Sequence, residues 1–168
     1  MHETELQDRL AVMEERLRLL EDQLALLRLI NTWGPAVDTG HSEAAASLWT
    51  DDGVLESDMS YLVGPQAVAA MVEGDGQQAL VQQGSAHVPA FPVVTVAGDR
   101  ASATGYTTVY RHTPEGYEVW RVSANHWEFH RGAGGWRVAR RTAQVIDGGP
   151  KAKELLRGAL EKEAPLHD

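Results

Sequence analysis

The chain has 168 residues, 43% of them hydrophobic and 23% charged, which is one domain's length and an ordinary globular composition. A net charge of −9 with no Lys/Arg cluster argues against nucleic acid or an anionic membrane as partner, and the lack of cysteine excludes disulfides, thiol nucleophiles and thiolate metal sites. No apolar run has membrane-spanning length or signal-peptide character, so a cytoplasmic location is the default expectation.

Residues 1–25 are expected to form a coiled-coil-like helix. Leu6, Leu10, Met13, Leu17, Leu20, Leu24 and Leu27 are spaced alternately four and three apart, the period of a heptad seam. Arg9 with Glu14, and Arg16 with Glu21, have the separation of attractive pairs between parallel helices. The pattern predicts a homo-oligomer, dimer or trimer; a single amphipathic helix lying on its own domain is the competing reading.

A domain over residues 26–150 follows. The segment from Leu26 reads as helix, then a break at Gly34-Pro35, then Asp38. Ser42 to Trp49 is a short helix with Ser42 as its N-cap. Val54 to Asp58 and Tyr61 to Val63 are short strands, and Pro65 opens a helix through about Glu73. Gln77 to Gln83 is helix or loop. The run from His87 to Ala97 is a strand whose Pro89 and Pro92 require an edge or a bulge. Ala101 to His112, Tyr117 to His130 and Trp136 to Ile146 are strands joined by tight turns, an antiparallel meander. Residues 151–168 supply a C-terminal helix, Lys151 to Lys162, and a tail. Helices followed by a meander imply an α+β fold, a curved antiparallel sheet packed by helices around a central pocket.

Asp38 and His87 are the residues with chemistry to offer. A carboxylate that accepts one imidazole N–H fixes the tautomer and raises basicity, a minimal proton-transfer device. Strand alternation puts Asn125, Trp127 and Phe129 on one face. It groups Arg141 with Ala139, Ala143 and Val145, and Arg140 with Trp136 and Val138; a single bulge would exchange the two arginines. His112, His126 and His130 have no compact zinc spacing, and no P-loop, GxSxG or GxGxxG motif is present. No metal and no cofactor are called for.

Several segments together resemble a known family. They are INTWGPAVDTGHSEAAASLWTDDGVLES, YLVGPQAVAAMV, His87, VTVAGDRASATGY and GGWRVARR, spanning roughly Leu26 to Asp147. Their order and spacing resemble the NTF2-like superfamily in its SnoaL-like branch, whose cone-shaped sheet hosts dehydratases, isomerases, cyclases and non-catalytic binders. The resemblance implies that Asp38 and His87 correspond to the Asp-His pair of scytalone dehydratase, bile-acid dehydratase and dehydrochlorinase lyases. It likewise implies that Arg141 matches those lyases' last-strand arginine and that Asn125 falls at the ketosteroid isomerases' oxyanion-hole acid. A departure lies at Trp33, where the lyases usually carry Tyr; Tyr61 could supply a phenol instead, and the isomerases' base falls near Asp58.

The expected function is therefore a cofactor-independent lyase of dehydratase type, acting on a small apolar polyketide-, steroid- or terpenoid-like molecule. His87 is the base, Asp38 its orienter, Asn125 and Arg141 stabilise developing charge, and Trp33, Trp49 and Trp127 line the cavity with Asp58 and Tyr61 as further substrate contacts. A ketosteroid-isomerase-like isomerase, a polyketide cyclase and a non-catalytic small-ligand binder are the alternatives.

Overall fold

The computed structural model describes residues 2–161 of the chain. Lys162 and the tail expected after it lie outside the described residues. The first element is a single helix, α1, His2–Asp38, which runs through the expected boundary near residue 25 and through Gly34-Pro35. The predicted break does not occur because Pro35 sits in the last turn, where its missing N–H removes one hydrogen bond and leaves most of the helix intact. The stop comes at Gly40, whose φ of +68° lets His41 N–H reach Ala36 O at 2.8 Å and Gly40 N–H reach Val37 O at 3.3 Å. This is a Schellman closure, and it makes Asp38 the last helical residue.

Helix α1 carries two apolar faces. Leu26, Ile30, Trp33 and Val37 are buried against the domain, with Asp22 buried on the same side. At 3.6 residues per turn the heptad seam points the opposite way, and Leu6, Leu10, Met13, Leu17, Leu20 and Leu24 are 49–63% exposed. Asp22 fastens the helix to the sheet: Trp136 Nε1 donates to it at 2.9 Å and Arg131 Nη2 at 2.6 Å.

The remaining elements follow in order. They are α2 (Ser42–Ser47), β1 (Trp49–Ser57), β2 (Tyr61–Val63), α3 (Pro65–Glu73), α4 (Asp75–Gln83), β3 (Ser85–Pro89), β4 (Val93–Ala97), β5 (Arg100–Thr113), β6 (Gly116–Gly132), β7 (Gly135–Val145) and α5 (Pro150–Glu161). The N-cap of α2 is His41, whose ring nitrogen accepts from Ala44 N–H at 3.2 Å; Ser42 instead donates to Glu73 at 2.6 Å. The single strand expected from His87 to Ala97 is two strands, β3 and β4, lying end to end along one side of β5. Their separation at Pro89 and Pro92 follows from the missing amide donors.

Seven strands form one sheet in the order β2-β1-β7-β6-β5-β3, with β4 also on β5. The sheet is antiparallel except between β1 and β7, which run parallel. Everything between these two strands in sequence forms the crossover.

Two bulges set which side chains face inward. On β6, Val109 pairs with Arg121 and Tyr110 with Val119, which leaves Trp120 as the extra residue. On β7, Glu128 pairs with Arg140 and Phe129 with Val138, which leaves Ala139 extra. Trp136, Val138, Arg141 and Ala143 are consequently all buried. Arg140 faces outward and meets Glu56 at 2.9 Å. The uninterrupted alternation read from the sequence grouped Arg141 and Trp136 on opposite faces; the bulge brings them to one.

Burial alone would push the Asp22 carboxyl up, but the hydrogen bonds from Trp136 and Arg131 outweigh it and hold it below the usual carboxylate range. A depressed folded value gives stability that is complete above the unfolded value near 4 and is lost as pH falls through the folded one. Asp22→Ala should cost about 3 kcal/mol at neutral pH, because it leaves Trp136 Nε1 without its acceptor and takes from Arg131 its buried carboxylate. The loss relative to wild type should shrink as denaturation is measured at pH 5, 4 and 3.

Candidate active site

A cavity of about 600 Å³ opens between the concave face of the sheet, the last turns of α1 and helix α4. Its wall includes Trp33, Val37, Leu80, His87, Trp120 and Arg141.

One end of the cavity is built where α1 meets β3. Strand β3 is at the sheet edge, and the N–H of His87 points off it to Asp38 Oδ2 at 2.7 Å. Asp38 Oδ1 lies 2.7 Å from His87 Nδ1 and accepts from Ser85 Oγ at 2.7 Å. An ionised carboxylate only accepts, so Nδ1 carries the proton and the neutral ring keeps Nε2 as its basic atom. Asp38 sits at the negative end of a 37-residue helix, a placement unfavourable by about 0.3–1 kcal/mol. Burial also pushes its carboxyl up. The hydrogen bonds from the His87 ring, the His87 N–H and Ser85 outweigh that effect and hold it below the usual range.

Close approach of the two elements depends on Gly34. A Cβ there would lie 2.4 Å from the carbonyl oxygen of His87.

Arg141 also lines the cavity. It is 7% exposed, with its guanidinium carbon 4.9 Å from the ring of Trp33 and 4.5 Å from that of Trp127. Nε and Nη2 donate to Asn125 Oδ1 at 2.9 and 2.8 Å. Asn125 Nδ2 donates to Ser123 Oγ at 3.0 Å, so both ends of this amide are engaged and it stands behind the arginine, off the cavity wall. Burial, with a smaller contribution from the charge of Arg121, pushes Arg141 down to about 9, which leaves it cationic at neutral pH.

The other expected site residues are placed differently. Trp127 backs Arg141, and Trp49 is a core residue set edge-on to Trp33 with ring centroids 5.8 Å apart; neither lines the cavity. Asp58 is held by both terminal nitrogens of Arg121 and stands outside the wall, and Tyr61 is exposed. Ser85, Trp120, Arg121 and Ser123 belong to the site without having been anticipated. Ser85 was one alternation step from His87 and could have been found; Trp120 and Arg121 are adjacent residues admitted together by the β6 bulge. Among the described residues no three His, Cys, Asp or Glu side chains cluster as metal ligands. None of their helices is long and apolar enough to cross a membrane.

A family model described as the SnoaL-like domain matches residues 18–142. The chain belongs to that family. Membership implies a small-molecule-binding or catalytic domain of the NTF2-like type. An NTF2-like protein with a cystatin-like fold from Novosphingobium aromaticivorans is 39% identical, with a TM-score of 0.83 over 86% of this chain and 94% of its own. Rv3472, a protein of unknown function from Mycobacterium tuberculosis, is 19% identical with a TM-score of 0.68, covering 89% of this chain and 90% of its own. A putative aromatic ring hydroxylase from N. aromaticivorans is 23% identical with a TM-score of 0.59 over 76% and 90%. These last two likenesses show the fold alone. No curated protein sequence matches the chain.

Gly34→Ala gives a test with an informative sign. Helix propensity alone favours alanine by about 1 kcal/mol. The contact with the His87 carbonyl predicts destabilisation of about 1–3 kcal/mol instead, read by urea unfolding, because backbone must move to admit the methyl.

Proposed function

We propose that the SnoaL-like domain is a cofactor-independent lyase of dehydratase type, acting on a small, largely apolar polyketide-, steroid- or terpenoid-like molecule. The observation that carries this reading is the convergence of Ser85 Oγ, His87 N–H and His87 Nδ1 on one carboxylate, with the imidazole on the cavity wall. His87 Nε2 takes a proton from carbon, Asp38 steadies the imidazolium that forms, and the same nitrogen returns the proton to the departing hydroxyl. The C–H and C–O bonds break, a C=C bond forms, and water leaves. Arg141, positioned by Asn125, offers fixed positive charge to an oxygen of the bound molecule, and such preorganised charge is worth most in a dry site. Asp58 is tied up by Arg121, which weighs against a carboxylate base at that position and so against the isomerase reading.

His87→Gln and Asp38→Asn should each lower kcat by about 10² to 10⁴. The assay is appearance of enone absorbance from a panel of β-hydroxy tetralones and decalones, each with and without a ring carboxylate. Turnover that survives His87→Gln, or no turnover of any member by wild type, would remove the lyase reading and leave a binding protein.

We also propose that the exposed seam of α1 joins copies of this chain in parallel, in a dimer or trimer. The support is charge as well as exposure. Parallel alignment faces Arg9 with Glu14 and Arg16 with Glu21, whereas antiparallel alignment brings like charges together. Because the chain has no cysteine, Met13→Cys reports alignment directly. In-register parallel helices should oxidise to a covalent dimer at this seam position, and Glu15→Cys, on the outer side, should not. A monomeric mass by light scattering, or failure of Met13→Cys to cross-link, contradicts the assembly.

A further inference from the structure

One cation on the cavity wall has no carboxylate beside it among the described residues. Three arginines reach that wall: Arg111, Arg121 and Arg141. Arg111 is paired with Glu118 and Arg121 with Asp58. Arg141 is the most deeply buried of them, and no carboxylate among the described residues pairs with it. Its supports are a neutral amide oxygen and two indole faces. A buried cation without a direct counter-charge is costly, and cation–π contacts recover only part of that cost.

The guanidinium has five N–H donors, of which two are spent on Asn125. Three remain, on Nη1 and Nη2, at a residue that lines the cavity. Two terminal nitrogens side by side match the spacing of carboxylate oxygens. Asn125 offers nothing further to a ligand, since its oxygen faces Arg141 and its nitrogen faces Ser123. The rest of the wall is mainly apolar, with Val37, Leu55, Met71, Leu80, Trp120 and Ala143 on it.

We infer that the ligand enters as a monoanion: an apolar ring body bearing one carboxylate, which seats on the free edge of Arg141. The inference rests on the reading of this cavity as the substrate site and narrows it, since a neutral ketone would leave the buried charge uncompensated. The carboxylate is an anchor present before any reaction begins. It fixes which hydrogen of the ring body faces His87 Nε2, and takes no part in the proton transfer itself.

The test is equilibrium binding by calorimetry at pH 7 with three acids, benzoate, 2-naphthoate and anthracene-2-carboxylate, each against its own primary amide. At least one acid should bind on the order of ten-fold more tightly than its amide to wild type. Arg141→Gln should erase the difference. Asn125→Asp provides an independent arm that keeps the arginine: it places a carboxylate on Nε and Nη2, supplies the missing counter-charge from within, and should also abolish the preference for acid. His87→Gln should keep that preference intact, so a failure of the lyase reading leaves this result standing. The inference is overturned if no acid outbinds its amide, or if the preference survives both Arg141→Gln and Asn125→Asp.

Discussion

The site depends on one carboxylate held at an electrostatically poor position. Asp38 ends a helix whose dipole repels it, yet it is ionised and immobilised because an edge strand turns a backbone N–H, a hydroxyl and an imidazole toward it. The strand can do so because it lies at the sheet margin, where one of its N–H groups has no partner strand. The helix can come close enough because position 34 lacks a side chain. Remove any of these and the imidazole loses both its orientation and its tautomer.

The buried cation follows a different logic. Arg141 reaches the concave side only because Ala139 interrupts the alternation of its strand, and it stays there because two indoles and an amide fix the guanidinium plane. A second bulge, at Trp120, lets two neighbouring residues share the wall. Bulges therefore do at this site what loops do in many enzymes: they re-aim a few side chains without disturbing the sheet that carries them. The cavity wall carries an imidazole and a buried cation among mainly apolar side chains.

Much of this was legible in the sequence. The heptad spacing, the Gly64-Pro65 helix start and the three long strands with their tight turns correspond to observed elements. Asp38 and His87 do meet, forty-nine positions apart in the chain. What could not be read was whatever depends on pairing across the sheet. The parallel match of β1 with β7, the division of β3 from β4 and both bulges are decided by neighbours distant in sequence. Pro35 misled for a local reason, because a proline's effect on a helix depends on how many turns remain after it. Trp49 and Trp127 misled because a large ring near a cavity is as easily its backing as its lining.

Trp33 has a consequence of its own. Its indole is part of the cavity wall, stacks on the guanidinium of Arg141 and belongs to the same last turns of α1 as Asp38. Of the five tryptophans, only it and Trp120 line the cavity. Any molecule that settles there must alter the polarity around an intrinsic fluorophore. The protein thus carries a built-in optical gauge of occupancy, and its emission can follow ligand arrival in real time without a label.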